Sequence, residues 1–224
     1  RMAEVSGLSH SSMMTTARNY LRLETLHAAN DAITNAIATL PAFHLYDIQD
    51  VIHSSSDGQR METQIDTINA RYSPKYFGLQ KGVSAYTLVA NHVPINAKII
   101  GTHEHESHYV FDLLHNNTSD IKPERHSTDT HGTNQVNFWI LHAFGYHFAP
   151  RYRDLHKKMG ALVGARHPND YSDFLIKPVR KIYRELIEQE WPNIQRIMAS
   201  LAQKDVTQAT IVRKLASYER QNQT

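Results

Sequence analysis

Two segments, SSSDGQR at residues 54–60 and STDTHG at residues 127–132, each place one aspartate among small polar residues, after or inside a β-type run. The aspartates are Asp57 and Asp129. Carboxylates that two separate strands bring together are what a divalent-metal site for phosphoryl transfer needs. In open α/β sheets such ligands lie at the carboxyl ends of the strands. The two segments therefore predict a metal site on a sheet.

Each aspartate also has a simpler structural interpretation, and the residues alone leave both open. Asp57 precedes Gly58, and Asp-Gly is a common signal for a hairpin turn. Asp129 could instead cap a helix that begins near Asn134. The three serines before Asp57 indicate a place where another part of the chain approaches closely.

The composition is that of an ordinary globular protein. The chain has 224 residues, a formal net charge of +2, 41% hydrophobic residues, 15 histidines and no cysteine. The absence of cysteine excludes disulfides and thiolate metal sites. The small net charge means that any affinity for DNA must come from local basic clusters. We find no signal-peptide pattern and no apolar run of membrane-spanning length, and both ends of the sequence read as cut from a longer protein.

Hydrophobic periodicity predicts a mixed sheet between residues 46 and 150, with helices before and after it. The predicted helices are 12–40 (ended by Pro41), 104–115, 134–144 (capped by Gly145), 181–190, 191–204 and 207–218. The predicted strands are 46–53, 82–90, 94–100, 121–129 and 146–148. Residues 71–78 are predicted to form a basic, aromatic loop.

A histidine-rich segment, THEHESHY at residues 102–109, raises the alternative of a histidine-based metal hydrolase. Zinc hydrolases of this type need His-Glu-x-x-His, which puts two imidazoles on one helical face. The fifth position is Ser107 when counted from His103 and Tyr109 when counted from His105. The motif fails in both registers, so a polar helix start is favoured.

Basic residues alternate with tyrosines in two places, which suits contact with a nucleic-acid backbone. One cluster contains Arg71, Lys75 and Lys81; the other contains Arg151 and Arg153. A third carboxylate would complete a metal site. Glu185, Glu188, Glu190 and Glu219 are available for that role, although the first two read more simply as part of a charged helix surface.

Several motifs in a fixed order resemble the catalytic region of Tn-three-type transposases, the enzymes of class II, cointegrate-forming bacterial transposons. The motifs are SSDGQR (55–60), ARYSPKYFG (70–78), TDTHG (128–132), FAPR (148–151), LIKPVR (175–180) and WPNIQRI (191–197). The resemblance covers nearly the whole chain. Met61 departs from the family, which usually has phenylalanine there.

The resemblance implies an α/β fold with an RNase H-like mixed sheet flanked by helices. It divides the chain into a helical segment (1–45), a catalytic core with the first two acids (46–160) and a mainly helical insertion (161–224). Asp57 matches the first acid of a DDE triad and Asp129 the second. The third is a glutamate in a Leu-Asn-x-Gly-Glu-like motif that this sequence lacks, and we expect it downstream of residue 224.

The resemblance also implies a function. Asp57 and Asp129 would hold two Mg²⁺ ions, with Mn²⁺ able to replace them, and His131 would support Asp129 or touch a phosphate. The enzyme would cut the 3′ ends of a transposon and join them to target DNA. Arg60, Lys75, Arg151 and Arg153 are the predicted DNA contacts. We expect a homodimer of the full-length enzyme in the bacterial cytoplasm, with little activity in this chain alone; a non-catalytic DNA-binding or structural module is the alternative.

Overall fold

The computed structural model describes residues 2–217, so Tyr218, the predicted end of the last helix, lies outside the described residues. The helices are α1 (Met2–Ser6), α2 (His10–Tyr20), α3 (Leu23–Ala38), α4 (Pro41–His44), α5 (Pro74–Phe77), α6 (Val110–His115), α7 (Gln135–Ala143), α8 (Leu155–Met159), α9 (Arg184–Ala202) and α10 (Gln208–Ser217). Short 3₁₀ turns occupy Glu106–His108, Thr130–Gly132 and Pro168–Tyr171. Within residues 2–217 we find no helix with the length and apolar character needed to cross a membrane.

The strands build a mixed sheet. They are β1 (His53–Glu62), β2 (Arg71–Tyr72), β3 (Lys81–Ala90), β4 (Val93–Gly101), β5 (Arg125–Thr128), β6 (His147–Phe148), β7 (Val163–Gly164) and β8 (Arg180–Lys181). The main sheet runs β4-β3-β1-β5-β6, with β2 also paired to β3. Strands β1, β3 and β4 are antiparallel neighbours, whereas β5 and β6 run parallel to β1.

The main sheet has one covered face and one half-open face. Side chains alternate between the faces of a strand, and along β3 Tyr86, Leu88 and Ala90 are fully buried while Thr87 and Val89 are only partly covered. The covered face packs on α6, α7, the end of α9 and α10. The buried core includes Phe111, Leu113, Ile140, Leu141, Leu201 and Ala209.

This architecture confirms the predicted fold class. A mixed sheet with three antiparallel strands followed by two parallel ones, with helices packed on it, is the RNase H-like arrangement. The domain boundaries proposed from sequence stay a prediction. The last helices, α9 and α10, contribute Leu201 and Ala209 to the same core as the sheet.

Several predicted elements differ from the observed ones for local reasons. The predicted helix 12–40 is broken after Tyr20, because the Arg22 N–H donates to the Thr25 hydroxyl at 3.1 Å and starts a new helix. Pro41 begins α4 instead of only ending a helix, since the first turn does not need its missing N–H. The prediction of two helices, 181–190 and 191–204, was wrong, because the single helix α9 continues through Pro192.

The predicted strand 46–53 is mostly a turn. Gln49 and Asp50 have φ of 56° and 60°, and a single bridge joins Ile48 to Val51. Two consecutive residues in the left-handed region fold the chain back sharply. The predicted helix 104–115 is a 3₁₀ turn followed by α6. Between residues 155 and 183 the described elements are short, so the expected helical character begins at Arg184.

A buried imidazole ties β5 to β1. His126 is completely buried, with Nδ1 at 2.8 Å from the Ser54 hydroxyl and Nε2 at 3.0 Å from the Ser56 hydroxyl. Ser56 Oγ also lies 2.6 Å from the Tyr86 hydroxyl. Burial lowers the pKa of His126 to about 3, with a further contribution from His53. The ring is therefore neutral, and each nitrogen has a hydroxyl partner.

A second buried network joins two of the three 3₁₀ turns, Glu106–His108 and Thr130–Gly132, to α10. The Asn137 side chain donates from Nδ2 to the carbonyls of Ser107 and Gly132, both at 3.0 Å, and accepts from Gln208 Nε2. Gln208 also accepts from the Phe111 N–H at 2.7 Å. Since Asn137 and Gln208 are fully buried, each bond is made away from water and fixes the turns against α7 and α10.

We expect the free energy of unfolding to fall as the pH drops below about 6.5, the ordinary pKa of histidine. Below that pH the unfolded chain binds a proton on His126, whereas the folded chain excludes it until the pH approaches 3. Acid therefore favours the unfolded state. One such group contributes a loss of about 2 kcal/mol between pH 7 and pH 5, which urea unfolding at the two pH values measures.

The variant His126→Gln isolates this effect, because its side chain does not titrate. Its loss of stability between the two pH values should be smaller by about that amount. The exposed residue His10 provides the control, since His10→Gln should keep the wild-type pH dependence. Equal pH dependence in the wild type and His126→Gln would contradict a buried neutral imidazole.

Asn137→Ala should lower the free energy of unfolding by about 1–3 kcal/mol, because buried partners lose their hydrogen bonds. Urea unfolding measures the change. Asn193→Ala, on the exposed surface of α9, should stay within about 0.5 kcal/mol of the wild type. A loss for Asn137→Ala no larger than that of Asn193→Ala would show that the network does not hold the turns.

Candidate active site

Asp57 lies within a regular strand and not in a turn. Strand β1 continues through Asp57 and Gly58, which pair with Thr87 and Tyr86 of β3. The interpretation of Asp57-Gly58 as a hairpin turn is therefore wrong. Asp57 is exposed, whereas Ser56 beside it is buried, so the carboxylate points to the half-open face of the sheet.

Asp129 directly follows the last residue of β5. It caps the 3₁₀ turn Thr130–Gly132, since its Oδ1 accepts from the backbone N–H of His131 at 2.9 Å and of Gly132 at 3.1 Å. It does not cap α7, where Asn134 accepts from the Asn137 N–H instead. The close approach of this turn requires Gly132, because a Cβ there would lie 2.5 Å from the Thr128 Cβ.

The pairing of β1 with β5 brings the two aspartates opposite each other. The last residues paired in parallel register are Ser56 and Thr128, and both are buried. The next residue on each strand is Asp57 and Asp129, and both are exposed. Adjacent strands lie about 4.8 Å apart, so two carboxylates on one face at this position are neighbours.

Hydrogen bonds hold the Asp129 carboxylate in one orientation. Its Oδ2 lies 3.0 Å from Nδ1 of His131, a side chain that is 75% exposed. Partial burial alone raises the pKa of Asp129, but the bonds from the His131 ring and the two backbone N–H groups lower it overall. Asp129 is therefore ionised at neutral pH. Asp57 accepts one hydrogen bond, from the Gly58 N–H at 2.8 Å.

A third carboxylate, which sequence reasoning missed, lies across β1 from Asp57. Glu106 is only 6% exposed and sits against Gly58 on the covered side of β1, since a Cβ on Gly58 would lie 2.2 Å from Glu106 Oε1. Burial raises the pKa of Glu106; Arg60 opposes this rise, and the charges of Asp57 and Asp129 add to it. The sequence placed Glu106 in the histidine-rich segment, and no local pattern there shows that the fold turns it towards β1.

Arg60 bridges Glu106 and α5; this helix and strand β2 form where residues 71–78 were predicted to be a loop. Its Nη2 lies 3.4 Å from Glu106 Oε1, and its guanidinium carbon lies 4.2 Å from the centroid of the Tyr76 ring. Lys75 Nζ lies 5.0 Å from the same centroid. The two predicted DNA contacts Arg60 and Lys75 therefore meet on one tyrosine, on the side of the site formed by β1.

Arg151 and Arg153 lie on the other side of the site. The Arg151 N–H donates to the Thr128 carbonyl at 2.8 Å, and the Arg153 N–H donates to the Thr130 hydroxyl at 2.9 Å. These bonds hold the segment after β6 along the turn that carries Asp129. Both arginine side chains are exposed, and the segment that carries them runs beside the turn that Asp129 caps.

The other carboxylates and histidines considered from sequence do not assemble a metal site. Among residues 2–217, no three His, Asp or Glu side chains form a group that could hold a metal ion by themselves. His105 pairs with the Ser107 hydroxyl at 2.8 Å, and His103 with Glu104 at 3.3 Å. Glu185 and Glu188 are exposed on α9, and Glu219 lies outside the described residues.

The donor set fits a hard cation that is completed by its substrate. Mg²⁺ is commonly held by one or two carboxylates, with water and substrate phosphate oxygens filling its other positions. Asp57 and Asp129 supply two exposed carboxylates, and Asp129 is held ionised. The arginines on either side suit a phosphate-containing ligand. The arrangement can therefore bind a divalent cation together with a polyanion.

Comparison with solved structures finds a similarity to the crystal structure of the Mos1 strand transfer complex. The alignment covers 84% of this chain and 64% of the Mos1 chain, at 12% sequence identity and a TM-score of 0.30.

Curated relatives match almost the whole chain. The transposase for transposon Tn2501 of Escherichia coli is 33% identical over 99% of this chain, and that for Tn501 of Pseudomonas aeruginosa is 32% identical over 99%. The transposase for Tn3926 of Escherichia coli is 36% identical over 75%. The chain spans about a fifth of the length of these relatives, from 17% to 22%. The family described as the Tn3 transposase DDE domain matches residues 1–224, and the chain therefore belongs to it.

Proposed function

We propose that this chain forms the catalytic core of a DNA transposase that cuts the 3′ ends of a transposon and joins them to target DNA by metal-dependent phosphoryl transfer. The observation that carries the proposal is the position of Asp57 and Asp129 on neighbouring strands, each one residue beyond the last registered pair of β1 and β5, with both side chains exposed. Membership of the transposase family gives the reaction class, and the two carboxylates give it a location.

Asp57 and Asp129 would hold the Mg²⁺ ions that the family implies, or Mn²⁺ in their place. Such ions, when bound, supply charge neutralisation and a strong nucleophile for an in-line displacement. Asp57 lies within β1, which pairs with β3 and β5, whereas Asp129 directly follows the end of β5. His131 keeps the Asp129 carboxylate oriented through the bond at 3.0 Å.

The basic side chains near the site would bind the DNA backbone and position it. Arg151 and Arg153 belong to the segment that is hydrogen-bonded to the turn capped by Asp129. Arg60 and Lys75 lie on the β1 side, against the Tyr76 ring. Phosphate contacts of this kind fix the register of a duplex without reading its sequence. We further propose that the full-length enzyme acts as a homodimer on transposon ends in the bacterial cytoplasm.

In a full-length transposase that carries this sequence, Asp57→Ala and Asp129→Ala should each abolish 3′-end cleavage while leaving the binding of transposon ends largely intact. Each variant removes a carboxylate from the reacting centre and leaves the basic residues in place. A labelled duplex that contains one transposon end reports cleavage on a denaturing gel and binding by mobility shift.

Asp154→Ala is the matched control, because Asp154 is exposed and pairs only with Lys157 at 2.9 Å among the contacts described. It should cleave at the wild-type rate. Cleavage retained in Asp57→Ala or Asp129→Ala would refute the assignment of that acid. Loss of end binding together with cleavage would instead favour a structural role for the aspartate.

The 224-residue chain by itself should show little or no Mg²⁺-dependent strand transfer. The described residues supply two exposed carboxylates at the site and no third one within reach of the same ion. Two carboxylates leave a pair of divalent ions poorly neutralised. Incubation of the purified chain with pre-cut transposon ends and a target plasmid tests this. Robust joining would show that the site is already complete.

A further inference from the structure

Glu106 is a buried carboxylate whose position needs a reason. It is 6% exposed, and its only ion pair among the described residues is the contact with Arg60 at 3.4 Å. A buried charge is costly unless it is paired and hydrogen-bonded. Its neighbours Asp57 and Asp129 make that cost larger, since both carry the same charge. A purely structural site would be better served by a neutral side chain.

The backbone holds Glu106 rigidly in place. The carbonyl of the next residue, Ser107, accepts from three buried or half-buried side-chain amides: Asn134 at 2.9 Å, Asn137 at 3.0 Å and Gln208 at 3.3 Å. On the other side, the carboxylate fills the space that a Cβ on Gly58 would occupy. The carboxylate is thus a fixed point between the 3₁₀ turn and the strand that carries Asp57.

Arg60 contacts Glu106, but part of its guanidinium has no partner among the described residues. One nitrogen contacts Glu106, the guanidinium lies 4.2 Å above Tyr76, and the buried Nε has no hydrogen-bond partner among residues 2–217. The side chain is 30% exposed, so part of the guanidinium reaches solvent. A planar guanidinium whose orientation is fixed on two sides presents its remaining N–H groups in one direction, which suits a phosphate.

We propose that Glu106 is a positioning residue that acts through Arg60. Together with the Tyr76 ring it fixes the guanidinium so that its free N–H groups meet one backbone phosphate of the bound DNA. Glu106 itself does not touch the DNA or the reacting atoms. This inference rests on the proposed function and names a contact that sets where the DNA lies relative to the acids.

The test is a double-mutant cycle in the full-length transposase that carries this sequence. The variants are Glu106→Gln, Arg60→Gln and the two combined. We expect each single variant to lower the 3′-end cleavage rate at saturating DNA by about tenfold or more, because a misplaced phosphate lowers the rate more than the affinity. DNA affinity, measured by mobility shift, should fall by less than the cleavage rate.

The double variant decides whether Glu106 acts through Arg60. If it does, the combined variant cleaves no more slowly than Arg60→Gln alone, since the effects of coupled residues do not add. A combined loss equal to the product of the two single losses would overturn the proposal. So would a Glu106→Gln enzyme that cleaves at the wild-type rate.

Two further variants keep the test decisive. Glu104→Gln breaks a neighbouring ion pair, with Arg213 at 3.2 Å, and should leave cleavage within about twofold of the wild type. If Glu106→Gln does not fold, Tyr76→Leu replaces it. Tyr76 is 43% exposed, so its loss spares the core; a wild-type cleavage rate in Tyr76→Leu would then overturn the proposal.

The result separates this inference from the proposed function. Asp57→Ala that still cleaves would refute the proposed function. Asp57→Ala that is inactive, together with wild-type cleavage in the Glu106 and Arg60 variants, would refute only the positioning role.

Discussion

The alternation of side chains along β1 is the constraint on which the site depends. Ser54, Ser56 and Gly58 face the covered side of the sheet, where larger groups from other elements press against them. Only small residues leave room there for the His126 ring, the Tyr86 hydroxyl and the Glu106 carboxylate. Because successive side chains alternate, the same strand must then present Asp57 on the opposite, half-open face. The small residues and the acid are two consequences of one geometry.

This geometry explains which features the sequence could reveal. Strands β3 and β4 and helix α7 follow from runs of β-branched and apolar residues, and they were predicted to within about two residues. The prediction of a turn at Asp57-Gly58 was wrong. Asp-Gly is typical of a turn because glycine readily adopts the positive φ that the turn requires. Here glycine is needed for the contact with Glu106 across the strand, and local sequence does not show such a contact.

The same reasoning explains why Glu106 escaped detection. Glu106 stands in no metal-binding motif and has no helical spacing to another carboxylate that would mark it as a ligand. Its place at the site comes from a 3₁₀ turn that three amides from α7 and α10 hold at the Ser107 carbonyl. The sequence instead offered Glu185, Glu188, Glu190 and Glu219, which stand in or beside predicted helices. Residues that reach a site through tertiary hydrogen bonds leave no local signal, whereas Asp57 and Asp129 each stand in a short run of small polar residues that the sequence shows directly.

The buried amides link the C-terminal helix to the acids. Gln208 lies in the first turn of α10 and bonds to Asn137, whose Nδ2 reaches the Gly132 carbonyl at the end of the turn that Asp129 caps. The same two amides hold Ser107, next to Glu106. A shift of α10 would break the bonds of Gln208 to Ser107 and Asn137, at a cost of about 1–3 kcal/mol for each buried group left without a partner. Helix α10 is therefore bonded directly to the turn that carries Glu106 and, through Asn137, to the turn that Asp129 caps, so its position helps to hold both turns in place.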